Sequence, residues 1–228
     1  MKRLVLLGEG QGDVGGLPVL IGKLLHDKCG EARPLYIDKD VIRAHNADAL
    51  VKWNKDQNQE DYSQWFKYLR LAARDRRDLC GVLAVIDGDS KTFPAGKKTP
   101  FCAVTAAKTL ALAAKEVGAG ATFSLAVVFA CVEYETWLVA GAGKPPIAGT
   151  EVLFPGKSFP GGDPESHGKG WIERNMKSYR PTRDQARLTE LLDLDVVRAK
   201  RLRSFGRLEN AMDQLLKAVQ TGNHIVTP

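Results

Sequence analysis

Residues 81–89 read Gly-Val-Leu-Ala-Val-Ile-Asp-Gly-Asp, an uncharged apolar run closed by two aspartates around a glycine. A run of that length without polar alternation describes a strand covered on both faces, as the middle of a parallel sheet requires. Two other runs repeat the pattern. Residues 3–8 (Arg-Leu-Val-Leu-Leu-Gly) lead into Glu9, and residues 123–132 (Phe-Ser-Leu-Ala-Val-Val-Phe-Ala-Cys-Val) lead into Glu133 and Glu135. Each of the three buried strand candidates therefore ends on acid.

The stretches between them have helical spacing. Residues 17–28 predict a helix with Pro18 in its first turn, and 60–76 place Trp65, Leu69 and Ala72 or Ala73 on one face. Residues 33–37 predict a short strand, the alanine-rich stretch 99–117 a helix, and 133–140 a short helix. Apolar strands alternating with helices predict an α/β fold, a mostly parallel sheet with flanking helices. From 141 to 170 the composition turns to Gly, Pro, Lys and Ser, which reads as a loop or linker. Beyond it, 171–176, 183–191, 196–203 and 208–218 predict short helices with no strand between them. The expected organisation is an α/β domain over 1–140, a linker over 141–170 and a helical C-terminal extension over 171–228 packed on the α/β domain, without internal repeats.

At 228 residues, 44% apolar and 26% charged, the chain has enough material for a buried core, which excludes a disordered or collagen-like protein. Its longest apolar stretch, 123–131, is about half the ~20 residues of a membrane span. With no signal-peptide pattern at the start, the expectation is a cytoplasmic protein without a membrane partner. Cys29, Cys80, Cys102 and Cys131 form no Cys-x-x-Cys pair, so they are expected as reduced core thiols. The formal charge is +6, and from Lys169 onward twelve Lys/Arg face seven Asp/Glu, which places most of the surplus in the last third.

The carboxyl ends of neighbouring parallel strands open onto one crevice, so Glu9, Asp87, Asp89, Glu133 and Glu135 are expected to converge. Converging carboxylates repel one another unless a cation holds them, and hard oxygen ligands select Mg2+ or Mn2+. Any one of these acids alone is equally a cap or turn former. Glu9 between glycines fits that role least, and Gly8, Gly10, Gly12 and Gly88 leave room for a metal or phosphate near the backbone. Asp13 is a weaker ligand candidate. Glu133 and Glu135, two apart, share a face only on extended backbone; a helix starting at Val132 leaves one of them in the crevice. Lys91, Lys97 and Lys98 after Asp89 are phosphate contacts or a solvated loop.

Three other features compete for meaning. Gly10-x-Gly12-x-x-Gly15 matches a dinucleotide-binding fingerprint with Asp38 or Asp40 at the next strand end, although Glu9 stands where that fingerprint wants an apolar residue. Trp171, Tyr179 and Phe205 have the spacing of a small helical core, with Asp184 near a helix N-cap. Arg198, Lys200, Arg201, Arg203 and Arg207 form either a solvated helix face or a nucleic-acid-binding strip.

Glu9 in Gly-Glu-Gly after the first strand, followed later by Asp87-x-Asp89, resembles the Toprim domain of primases, type II topoisomerases and overcoming-lysogenization-defect nucleases. The segment Val132-Glu-x-Glu-Thr-Trp-Leu, with Tyr179, Asp184-Gln185-Ala-x-Leu and Ser204-Phe205, is similar to a Toprim-like domain-of-unknown-function family often encoded beside ABC-type ATPases in bacterial defence loci. The resemblance covers nearly the whole chain. It implies metal-dependent phosphodiester chemistry: Glu9 as metal ligand or general base, Asp87 and Asp89 as ligands, and Glu133 or Glu135 for a second ion. Ser90-Lys91 departs from the pattern, because no further acid follows closely. The expected function is a Mg-dependent nuclease or related phosphodiester-cleaving effector in anti-phage defence, acting on DNA or RNA. The alternatives are a non-catalytic Toprim-like subunit that binds an ATPase partner, and a dinucleotide-binding α/β protein.

Overall fold

Along the first strand, β1 (Lys2–Gly8), Leu4 and Leu6 enter one hydrophobic cluster while Val5 and Leu7 enter another, all four fully buried. Successive residues of a strand point to opposite faces, so an all-apolar run buries both sides and becomes the middle of a sandwich. The computed structural model describes residues 2–141, 168–176 and 178–228. In chain order β1 is followed by α1 (Gln11–Cys29), β2 (Leu35–Ile37), β3 (Ile42–Arg43), α2 (Ala47–Leu50), β4 (Lys52–Asn54), β5 (Gln59–Asp61) and α3 (Ser63–Ala73). Next come β6 (Leu79–Asp87), α4 (Ala103–Ala113), β7 (Ser124–Ala130) and α5 (Tyr134–Ala140). The chain closes with α6 (Gly168–Asn175), α7 (Pro181–Leu191), α8 (Leu194–Ala199), α9 (Arg203–Thr221) and β8 (Val226–Thr227).

The main sheet has the order β2-β1-β6-β7-β8, with β3 also pairing with β1, and these strand pairings are parallel. This is the predicted α/β architecture of a parallel sheet flanked by helices. One face packs on α3 and α4, where Trp65, Leu69, Ala72 and Leu110 are fully buried and the Trp65 indole N–H donates to Leu110 O at 2.9 Å. The other packs on α1, α5 and α9. Each leucine-sized side chain so buried contributes about 1.5–3 kcal/mol.

The last third is part of this core. Helix α9 is strongly amphipathic and buries Phe205, Leu208, Met212 and Leu215 in the same cluster as Leu4 and Leu6. The short β8, unforeseen in the sequence, then pairs with β7 at Leu125 and Ala126. The helices after residue 168 thus cover one face of the sheet, and β8, beyond the last of them, adds an edge strand. Residues 142–167 of the expected linker lie outside the described residues.

Local boundaries also moved. Helix α1 begins at Gln11, well before Leu17, which puts Pro18 in its interior. Glycine disfavours helix by about 1 kcal/mol each, and that cost is outweighed here because Gly12 and Gly16 are buried. Glu60 and Asp61, the start of the stretch expected as helix, instead pair with β4, together with Gln59, as an antiparallel hairpin. Cys80 is buried, but Cys102 is exposed, so it is not a core thiol; all four cysteines are free. Among the described residues no helix is long and apolar enough to cross a membrane.

A carboxylate crevice at the sheet edge

At the carboxyl end of the sheet a crevice of about 410 Å³ is lined by Glu9, Asp13, Asp87, Asp89, Glu133 and Glu135. All five acids predicted from strand ends are there, together with the weaker candidate Asp13. Arg43, Lys169, Thr182 and Gln185 complete much of the wall.

Each acid is placed by its element. Glu9 leaves the end of β1, and its Oε2 accepts a hydrogen bond from the Asp87 backbone N–H at 3.2 Å, which ties the ends of β1 and β6 together. Asp87 Oδ1 accepts from the Tyr134 N–H at 2.9 Å, at the first turn of α5. Asp89, two residues on, is exposed. Glu133 is the N-cap of α5 with φ −152° and ψ 170°, so it is extended while Glu135 is already helical. Because the helix starts one residue after Glu133, both glutamates line the crevice.

The two glutamates are also held from the C-terminal part of the chain. Glu133 Oε1 accepts from the Lys169 N–H at 2.6 Å, and Glu135 Oε1 accepts from the Tyr179 hydroxyl at 2.9 Å. A Cβ on Gly168 would lie 2.5 Å from Thr136 N and 2.6 Å from Glu135 C, so only glycine lets α6 approach α5 closely enough for the first of these bonds. Tyr179 packs against the core, as expected, and its hydroxyl holds Glu135. Phe205 does pack as expected, edge-on to Trp137 at 5.8 Å, while the Trp137 indole donates to Ser204 Oγ at 3.0 Å.

Asp13 has a different role from the other acids. Its Oδ2 accepts from the N–H groups of Glu9 (3.0 Å) and Gly10 (2.8 Å), capping α1, and its Oδ1 accepts from Gln185 Nε2 at 3.1 Å. Asp184 acts similarly in α7, accepting from the Arg180 N–H at 2.8 Å and pairing with Arg183 at 2.7 Å.

The charges of the crevice are poorly compensated. Burial, with the nearby charges of Asp89, Asp13 and Asp48, pushes Glu9 up to about 7 against the hydrogen bond from Asp87. Burial and the neighbouring Glu133 push Glu135 to about 7 as well. Asp87 is driven well above the ordinary carboxyl range by burial, then by Asp13, Glu9 and Glu135. Burial and the mutual repulsion of carboxylates gathered in one place produce these shifts.

Such a donor set fits a hard divalent cation, with oxygen ligands from separate strand ends in a recessed site. Among the described residues no three His, Cys, Asp or Glu side chains are arranged to hold an ion as they stand. Magnesium retains several waters and binds through one or two carboxylates, so it does not need a complete protein cage.

The glycine fingerprint has another explanation. A Cβ on Gly12 would lie 1.6 Å from Gln185 Oε1 and 2.8 Å from Pro181 Cβ, and one on Gly15 would lie 3.4 Å from Ala186 Cβ. These glycines seat α1 against α7. The N–H groups of Glu9 and Gly10 are taken by Asp13, and Asp38 is taken by Arg3 (3.1 Å) and Arg76 (2.9 Å). Both observations weigh against a dinucleotide site.

The basic strip divides. Arg198 pairs with Asp27, with Asp195 at 3.0 Å and with Glu209 at 2.8 Å, so it is a structural clamp between α1, α8 and α9 and not an open phosphate contact. Lys200, Arg201, Arg203 and Arg207 form no ion pair among the described residues, and none lines the crevice. Lys97 stacks over Trp53 at 3.9 Å and pairs with Glu60 at 3.5 Å; Lys91 and Lys98 do not reach the crevice either. Sequence reasoning missed Arg43 and Lys169, which carry no local signature, and it met Gln185 only in the Asp184-Gln185 segment of the family resemblance.

No family model, curated protein or solved structure matches the chain.

Proposed function

We propose that the chain is a magnesium- or manganese-dependent phosphodiester-cleaving enzyme, a nuclease acting on DNA or RNA. The observation that carries this reading is the convergence of Glu9, Asp87, Asp89, Glu133 and Glu135, from three separate strand ends, on one crevice. When bound, the metal supplies charge neutralisation at the scissile phosphate and a more acidic water. Asp87 and Asp89 are its first ligands, with Glu133 and Glu135 available on the α5 side. Glu9 has Oε2 engaged by the Asp87 N–H, which leaves Oε1 to take the proton of the attacking water. The sequence resemblance supports a cytoplasmic effector of anti-phage defence working with an ABC-type ATPase.

Calorimetry with Mg2+ and Mn2+ tests the metal assignment. The parent binds, and Asp87→Asn with Asp89→Asn removes binding, because neutral amides do not compensate a divalent cation in a recessed site. Unchanged binding in the double variant overturns it. Metal binding without cleavage of any nucleic acid, alone or with the ATPase, identifies a non-catalytic subunit instead.

A further inference from the structure

The crevice residues stand in strand order across the sheet. Arg43 ends β3, in register with Gly8; Glu9 follows β1; Asp87 and Asp89 close β6; Glu133 follows β7; and Lys169 is tied to Glu133 by its backbone. The row therefore begins and ends on a cation, with the carboxylates between.

These cations do not serve as counter-ions to the acids. Both side chains are exposed, and neither forms an ion pair among the described residues, although six carboxylates line the same crevice. Their separation also carries information. Neighbouring strands lie about 4.8 Å apart, so the three spacings from β3 to β7 cover about 14 Å. A lone phosphate group does not bridge that distance, whereas a nucleic-acid strand carries one phosphate per nucleotide and reaches both ends at once.

A buried polar side chain also lines the crevice. Gln185 is 1% exposed and lines it; its Nε2 is spent on Asp13, and its Oε1 has no hydrogen-bond partner.

The geometry points to Arg43 and Lys169 as the two ends of a phosphate track, holding the phosphates that flank the scissile one in an extended single strand of nucleic acid. This rests on the phosphodiester reading of the crevice and adds to it the class and direction of the substrate: a chain laid across the strand ends from β3 to α6.

Fluorescence anisotropy with a short labelled single-stranded oligonucleotide, DNA in one arm and RNA in the other, tests it over a salt series with calcium replacing magnesium. Arg43→Gln and Lys169→Gln are each expected to lower the slope of log affinity against log salt by about 0.7, and the double variant by about 1.4. Thermal unfolding and Mg2+ calorimetry should match the parent, because neither side chain is buried or a metal ligand. An unchanged slope in the double variant overturns the track. So does a parent that binds a nucleoside monophosphate as tightly as the strand, or that binds no strand at all. In each of these cases Mg2+ binding by the parent leaves the metal assignment standing, and its absence removes that assignment separately.

Discussion

Asp38 follows β2 and Asp87 closes β6 of the same parallel sheet, yet their surroundings treat them in opposite ways. Asp38 is 9% exposed, and burial alone would raise its pKa, but hydrogen bonds from Arg76, the Asp40 N–H and Arg3 outweigh that and hold it below the usual value. Asp87 receives a backbone N–H and is surrounded by Asp13, Glu9 and Glu135. A carboxylate meant for the fold is neutralised where it stands, whereas the crevice acids are gathered against their own repulsion, a cost borne by the rest of the fold. Position after a strand does not distinguish the two kinds of acid; the charges that tertiary packing brings near them do.

The largest effect that would sharpen this contrast is at Glu9. Glu9→Gln is expected to lower cleavage by about 10²–10⁴-fold, the usual contribution of a general base, with the fold intact. A single-turnover assay matched by circular dichroism checks it, and full activity in the variant would break the functional side of the comparison. Asp38→Ala should do the reverse. It strands Arg3 and Arg76 and should cost about 2 kcal/mol of stability, between the exposed and buried limits for ion pairs, as read by denaturant unfolding. Cleavage per folded molecule should be unchanged.

A further effect expected is a difference in pH dependence. Glu9 and Glu135, near 7 in the folded protein against 4.5 ordinarily, keep protons that the unfolded chain has lost. Their contribution is fully present below about 4.5 and is lost as pH rises through about 7. Asp38 runs the other way, and its contribution is lost as pH falls below its ordinary value of 3.8. Without divalent cations, unfolding curves should show the parent losing stability relative to Glu9→Gln between pH 4.5 and 7. Saturating Mg2+ should flatten that difference, and equal slopes in metal-free buffer would show that the crevice acids are compensated after all.

Much of this was legible in one dimension. The runs at 3–8, 81–86 and 123–132 were legible as buried strands because a strand covered on both faces needs unbroken apolar residues, a local property of the chain. The acids that follow them were legible as site candidates, since strand ends in a parallel sheet share one edge whatever the order of the strands. Tertiary structure decided the remainder. Whether both Glu133 and Glu135 face the crevice depended on where α5 begins, which Gly168 packing against its first turn helps to define. The glycines at 12 and 15 look like a phosphate loop in sequence and are a helix contact in space, because their meaning lies in α7, about 170 positions away. Arg198 and Arg43 are the same residue type with opposite roles, one clamped by three carboxylates and one beside six without an ion pair among the described residues. Charge is written in the sequence, but its compensation depends on distances between distant segments, and only the folded chain supplies those.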